Sequence, residues 1–430
     1  MRITSLSIMA GWLGILLAAL TTPVAQASPL NGRPDAVILK GKALPRQALG
    51  ALRYQYRLYS QADSIFKPAP FQIDEYDPAG EIILPHDPSS RLDVDKGVFD
   101  ENDELVFMAS DSGERAVGKP AVAGCDSIFE IGIRDHSKGS TGYVYLAKCL
   151  NPGPLNPVKY VAWDKSLRTA STDNYRIGYR LGNVAYYDYL SLFQGPDLLD
   201  RLKIRLSVGI GSLHKVFSED DFHKEGGLAY LAGPVRLVYA NRCEISLGLF
   251  GSIPAPQYIF FYRDWVLLSN KLDFRFNPTV LGLDLDVAVI HDFSLPPRGG
   301  YMICSNAVPD CAPITGQMTP KINKTANQEQ GWGGVRGPEG AMITRFVKDP
   351  RLSVVSSAIY LDDVSAQNKP EYIPGARPEI GFRISNWGNV GKGVYSLDFY
   401  HYFMKSYSTD QVARFDSMIF EPLEVVVIVR

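Results

Sequence analysis

The sequence predicts an all-β protein: an antiparallel β-sandwich or supersandwich preceded by a smaller β domain. Three observations carry that prediction. The first is alternation. Over residues 281–293, Leu281, Leu283, Leu285, Val287, Val289, His291 and Phe293 fall on one side, and Asp284, Asp286 and Asp292 on the other. Residues 235–247 alternate in the same way, with Arg236, Arg242 and Glu244 opposed to Leu237, Tyr239 and Cys243. Residues 395–403 repeat the pattern, with His401 on the apolar side. Successive side chains of a strand point to opposite faces, so each stretch has a core face and a polar face, as in antiparallel sheets. The second observation is composition: 23 Tyr, 20 Phe, 38 Gly and 29 Pro favour strands and turns. The third is the scarcity of helical periodicity, for which residues 196–202 are the best short candidate.

The chain opens with a leader. Arg2 gives a positive start, residues 8–20 are apolar, and Ala25-Gln26-Ala27 is a small-residue cleavage site. Residues 1–27 therefore read as a signal peptide and the mature chain as starting near Ser28, in the periplasm or outside the cell. The apolar run is short for a bilayer span, which takes about 20 residues, and no later stretch reads as a transmembrane helix. An oxidising compartment favours disulfides. Of the five Cys, Cys125 and Cys149 flank a hairpin and Cys304 and Cys311 share one loop, so both pairs are expected to bond. Cys243, on an apolar strand face, reads as a buried free thiol.

A chain of 430 residues suggests two domains. Residues 28–154 make the first. It has period-two alternation around Tyr54, Tyr56 and Leu58, a loop at 78–100, and strands at 128–133 and 142–147 joined by a turn. Asn151-Pro152-Gly153-Pro154 marks the boundary, and residues 155–430 make the larger sandwich. Within it, residues 294–340 read as a long loop containing Gly331-Trp332-Gly333-Gly334, and loops of that length are often functional or mobile. Residues 422–429 read as a buried closing strand. An outer-membrane barrel, with regular strands of about 10 residues, fits poorly with so many Pro-rich interruptions. The formal net charge of −2 supplies no field to attract nucleic acid or an anionic membrane.

Residues 70–113 hold the densest acidic cluster, with Asp74, Glu75, Asp77, Asp100, Asp103 and Glu104. Such oxygens would suit Ca²⁺, with Asp100, Asp103 and Glu104 as candidate ligands. Their spacing matches no EF-hand loop, and the simpler reading is carboxylates that fix turns and pair with Arg. Asp284 and Asp286 share a strand face at a separation of about 6.5–7 Å. Paired carboxylates at that distance serve acid–base work on glycosides or hold a cation; a solvated face balanced by Arg is the bland alternative. His291 and His401 are either satisfied core histidines or the lining of one pocket, where a His would be a general base. Tyr262, Arg263 and Trp265, with Trp332 and Trp387, suit stacking on sugars and equally suit core packing. The candidate catalytic set is Asp284, His291 and Arg236. The candidate substrate-binding set is Tyr262, Arg263, Trp265, Trp332 and Trp387. No P-loop, dinucleotide fingerprint, nucleophile elbow or CxxC motif is present.

Phe71-Gln72-Ile73-Asp74, followed by Asp103-Glu104-Leu105-Val106-Phe107, resembles a pattern in secreted bacterial β-sandwich proteins, some of them similar to the galactose-mutarotase-like supersandwich group. The resemblance rests on this stretch by motif and on the later half by general character. It implies an all-β protein of the export compartment in contact with carbohydrate. Residues 78–99 are longer here than in the compact form of the pattern, and no catalytic residue is carried over. The leading expectation is thus recognition, extending to processing, of a carbohydrate or other cell-envelope polymer. The alternative is a non-catalytic envelope or assembly protein that binds a protein partner.

Overall fold

The alternating stretches are strands, and they assemble into antiparallel sheets. The structure is a computed structural model. It describes residues 28–85, 95–118, 120–179, 186–221, 223–224, 229–246, 252–274, 282–296, 299–366, 368–388 and 390–428. The leader and the Cys243 side chain lie outside the described residues.

The first sandwich contains β1 (Ala36–Lys40), β2 (Tyr56–Ala62), β3 (Ile65–Pro68), β4 (Gln72–Asp74), β5 (Glu104–Met108), β6 (Cys125–Asp135) and β7 (Ser140–Cys149). One sheet runs β1-β5-β4, and the facing sheet carries β6-β7-β2-β3. Val37, Leu39, Leu105 and Phe107 from the first meet Leu58, Ile131, Ile133, Val144 and Leu146 from the second. The Cys125–Cys149 disulfide closes the β6–β7 hairpin at its open end.

A short meander follows: β8 (Ala162–Asp164), β9 (Thr169–Ser171), β10 (Tyr175–Gly178) and β11 (Tyr189–Leu192). The larger sandwich then begins with β12 (Leu199–Ile210), β13 (Leu213–Ser218), β14 (His223–Lys224), β15 (Ala229–Ala232), β16 (Leu237–Ser246), β17 (Ser252–Phe261), β18 (Trp265–Phe274) and β19 (Leu283–Phe293). It continues with β20 (Met302–Ser305), β21 (Val308–Pro313), α1 (Pro320–Thr325), β22 (Trp332–Gly337), β23 (Gly340–Lys348), β24 (Val355–Leu361), β25 (Glu379–Ser385) and β26 (Gly393–Met404). A five-stranded sheet, β13-β12-β19-β25-β24, faces a long sheet, β14-β16-β17-β18-β26-β23-β22-β20-β21. Between them lies the main core, with Leu202, Leu206, Leu285, Val289 and Phe382 against Tyr239, Ile259, Val266, Leu268 and Phe399.

The chain closes with α2 (Thr409–Phe420) and β27 (Glu424–Ile428). Ser408 caps α2 by accepting from the Gln411 N–H at 3.2 Å. Phe415 buries one face of the helix by stacking on Tyr402 with ring centroids 4.8 Å apart. Arg33 then binds the carbonyls of Ser417 and Glu421, at 3.2 and 2.8 Å, so the far end of the helix is held by the first residues of the first sandwich.

Three expectations are corrected. Residues 196–202 are not helical; β12 begins at Leu199, because Leu202 and Leu206 supply one apolar face and Lys203 and Arg205 the opposite one. Residues 294–340 are not one loop but β20, β21, α1 and β22, with the Cys304–Cys311 disulfide linking β20 to β21. The glycines that looked like loop residues serve a close approach: a Cβ on Gly334 would meet the Met342 carbonyl at 2.0 Å. The last strand is present but half-exposed, and it pairs with β6 of the first sandwich, not with the larger one.

Candidate functional site

The residues singled out by sequence are dispersed. Arg236 is 1% exposed and joins the two sandwiches. It reaches Asp74 at 2.8 Å and Glu104 at 2.6 Å, and donates to the Tyr262 hydroxyl at 3.3 Å. The Gln72 side-chain oxygen accepts from the backbone N–H groups of Val235 and Arg236, both at 2.9 Å. Burial alone would raise Glu104, but Arg236, Lys40 and Tyr76 outweigh it and hold that carboxyl below its usual range. Burial raises Asp74 even against Arg236. Tyr262 stacks on Trp265 at 4.0 Å, and the Trp265 indole donates to the Pro34 carbonyl at 2.9 Å. This is a packed seam, with no open face for a substrate among these groups.

Asp100 and Asp103 hold the turn before β5. Asp103 accepts from the Tyr76 and Asp100 N–H groups at 3.0 and 3.1 Å, and Asp100 accepts from the Asn102 N–H at 2.9 Å. Glu104 is engaged by Arg236, the Tyr76 hydroxyl and Lys40, so N–H donors and cations use the oxygens proposed as Ca²⁺ ligands. Trp332 and Trp387 are buried, the second donating to the Ile384 carbonyl at 2.9 Å. Arg263 lies over the Tyr160 ring at 5.2 Å and pairs with Asp264.

The grouping of Asp284, His291 and Arg236 is also corrected. Asp284 is exposed, and its odd–even offset from His291 puts the two on opposite faces of β19. His291 and His401 do come together, in the core. The Tyr187 hydroxyl lies 2.5 Å from His291 Nε2 and 3.1 Å from His401 Nε2, and His401 Nδ1 bonds the Thr344 hydroxyl at 2.9 Å. Burial lowers His291 to about 3 and drives His401 down as well, so both rings stay neutral. They bridge the two sheets as satisfied core histidines.

An open cleft of about 1020 Å³ lies over the outer, polar face of the five-stranded sheet. Arg205, Ser218, Asp220, Asp221, Lys369 and Glu371 supply its polar groups, with Val216 and Pro370 among the apolar ones. The 3₁₀ turn Glu219–Asp221 forms one wall and residues 364–366 and 369–375 the other. Asp221 accepts from the Ser218 N–H at 2.7 Å, and Asp220 from Arg201 at 2.9 Å.

Beneath the cleft is a layer of buried charge. Lys203 Nζ stands 2.6 Å from both Asp292 and Glu379, 3.7 Å from Glu371, and donates to the Asn368 carbonyl at 2.7 Å. Arg377 pairs with Glu371 at 3.0 Å. The oxygens of Asp292, Glu371 and Glu379 lie within 4.8 Å of one another, a spacing suited to a metal ion. Lys203 puts an ammonium among them instead. Burial pushes the Asp292 carboxyl well above the usual range, which brings two cations and three carboxyl groups close to balance. The layer fixes residues 368–378 to the sheet and gives the cleft a rigid floor.

Sequence reasoning placed polar residues on this sheet face, and missed the cleft. The alternation of Leu202 and Leu206 with Arg201, Lys203 and Arg205 was its available signal, as was the charged run Glu219-Asp220-Asp221.

No family model matches the chain, and no curated protein does. Among solved structures, the Slr1438 protein from Synechocystis sp. PCC 6803 is similar over 60% of this chain and 99% of its own, at 8% identity and a TM-score of 0.31. So low a score supports no argument about this chain.

Proposed function

We propose that the protein recognises a carbohydrate or other cell-envelope polymer in the cleft over the five-stranded sheet. The observation that carries this reading is the cleft itself: about 1020 Å³, open, with hydroxyl, carboxylate and cationic groups on a charge-locked floor. Convergent donors and acceptors on a rigid scaffold match a ligand rich in hydroxyl groups. The two disulfides fit the export compartment that the leader predicts. Among the described residues no helix is long and apolar enough to cross a membrane.

The test is calorimetric titration of the full chain with envelope oligosaccharides. Lys369→Ala and Asp221→Asn should each weaken binding about tenfold, the scale of one hydrogen bond to a charged group. Trp332→Phe, away from the cleft, should leave it unchanged. The absence of binding to any oligosaccharide would sink this reading. It would favour the second one, a protein partner, for which the sheet-edge strand β13 and the 60% exposed Val216 provide an open edge.

A further inference from the structure

The charged layer beneath the cleft sets three reactive groups in a row. In the five-stranded sheet, β12, β19 and β25 are neighbours. Asp292 stands directly across from Arg201 on β12 and from Glu379 on β25. Lys203 lies two residues on from Arg201, so its long side chain meets Asp292 diagonally on the same face. Lys203 and Asp292 are 0% exposed and Glu379 is 1% exposed. This arrangement is independent of what the cleft binds.

The two carboxyl groups meet Lys203 in different ways. Glu379 is held by hydrogen bonds: its Oε1 accepts from Lys203 Nζ at 2.6 Å and its Oε2 from the Asn368 amide at 2.7 Å. Asp292 Oδ2 lies equally close to Nζ, at 2.6 Å, yet neither Asp292 oxygen accepts a hydrogen bond of normal geometry. With a C–O bond of about 1.2 Å, Nζ lies no further than about 3.8 Å from the Asp292 carboxyl carbon. That is near the roughly 3–3.5 Å at which reacting atoms are poised for attack. Burial, against the pull of Lys203, lifts the Asp292 carboxyl to about 7, so much of it carries a proton at neutral pH. A protonated carboxyl is a better electrophile than a carboxylate, whose charge repels a nucleophile. Burial also keeps out the water that would reverse a condensation.

We propose that Lys203 and Asp292 condense into an intramolecular isopeptide bond that joins β12 to β19, with Glu379 carrying the protons. The Lys203 ammonium first gives a proton to the Glu379 carboxylate. The neutral amine attacks the Asp292 carboxyl carbon, forming the C–N bond and opening the C=O bond to a tetrahedral intermediate. Glu379 passes its proton to the Asp292 hydroxyl, which leaves as water while the C=O bond re-forms. The amide nitrogen then sheds its surplus proton to Glu379. One water is released and no oxidant or cofactor is consumed. The Asn368 carbonyl, 2.7 Å from Nζ, orients the amine. The product leaves Arg377 paired with Glu371 beside a neutral Glu379. A bond across so long a loop also restrains the unfolded chain.

The test is mass spectrometry of the purified full chain, denatured and with both disulfides reduced. The wild-type protein should weigh one water less than its sequence, counted from its observed first residue. Tryptic digestion should yield the peptide holding Lys203 joined to the peptide holding Asp292, and fragmentation should place the bond between those two side chains. Lys203→Arg, Asp292→Ala and Glu379→Gln should each give a chain of full mass with the two peptides separate. The proposal is overturned if the wild-type chain has its full mass, if the missing water maps to Glu379 or elsewhere, or if Glu379→Gln remains linked. Should the variants fail to fold, the wild-type mass and its fragment map decide alone.

Discussion

The guanidinium of Arg236 holds Asp74 and Glu104, carboxylates from one sandwich, against the other sandwich. Removing one partner of such a buried set leaves uncompensated charge, which costs about 3–5 kcal/mol. Arg236→Ala should therefore lose that much stability in urea unfolding, and Arg236→Lys most of it, since an ammonium cannot reproduce the forked contacts. The core histidines predict a pH dependence with a definite sign. The unfolded state binds protons below about pH 6.5 while the folded His291 resists protonation down to about 3. Stability contributed by the neutral ring is complete above the unfolded value and falls with pH below it, by about 1.4 kcal/mol per unit for each such group. Asp111 slopes the other way: its folded value, raised to about 6, adds stability below the unfolded value near 3.9 that is lost as pH rises through 6. His291→Gln should flatten the acid limb by one proton in denaturation curves taken across this range. The sequence pointed to Arg236 and both histidines, and satisfied core histidines were among its readings, but it did not show which groups would bind them. Alternation assigns a side chain to a face, whereas its partners come from strands far along the chain.

The strand β19 shows how far that logic reaches. Its faces were legible, with Leu285, Val289 and His291 inward. What covers the other face was not. Asp292, expected on a polar sheet face, is 0% exposed because residues 368–378 fold over it and Lys203 meets it there. Lys203→Met should cost about 3–5 kcal/mol by stranding Asp292, Glu371 and Glu379 with Arg377 as the nearest cation. The same variant should speed proteolytic cleavage within 368–378 at a concentration that spares wild type; equal cleavage would refute the idea that this layer pins the cleft wall. The helix α2 went unseen although Ser408 caps it and Val412 and Phe415 stand three apart. One short amphipathic stretch among so many strands gives a weak periodic signal.

At the scale of the molecule, the two sandwiches are interlocked. Arg236 pins their seam, Arg33 grips the end of α2, and β27 adds to the sheet of β6. Ending the chain after Glu421 removes β27 and uncovers the side of the first core where Val425 and Val427 pack. The first sandwich should then unfold at lower temperature than the larger one, seen as a split calorimetric transition where the intact chain gives one. A stretch rich in Pro and Gly at residues 151–154 suggested a clean division, and local composition carries no trace of a strand that returns from the far end.

That returning strand has a consequence for synthesis. Arg134 on β6 and Glu424 on β27 are bonded partners 290 residues apart. A ribosome adding about 5–20 residues per second needs roughly 15–60 s to bridge that gap. Throughout that interval β6 presents an unpaired edge beside an apolar core, the kind of surface to which other chains add strands. Until β27 pairs with β6, the first sandwich therefore carries an edge open to strand addition, and the late segment closes it.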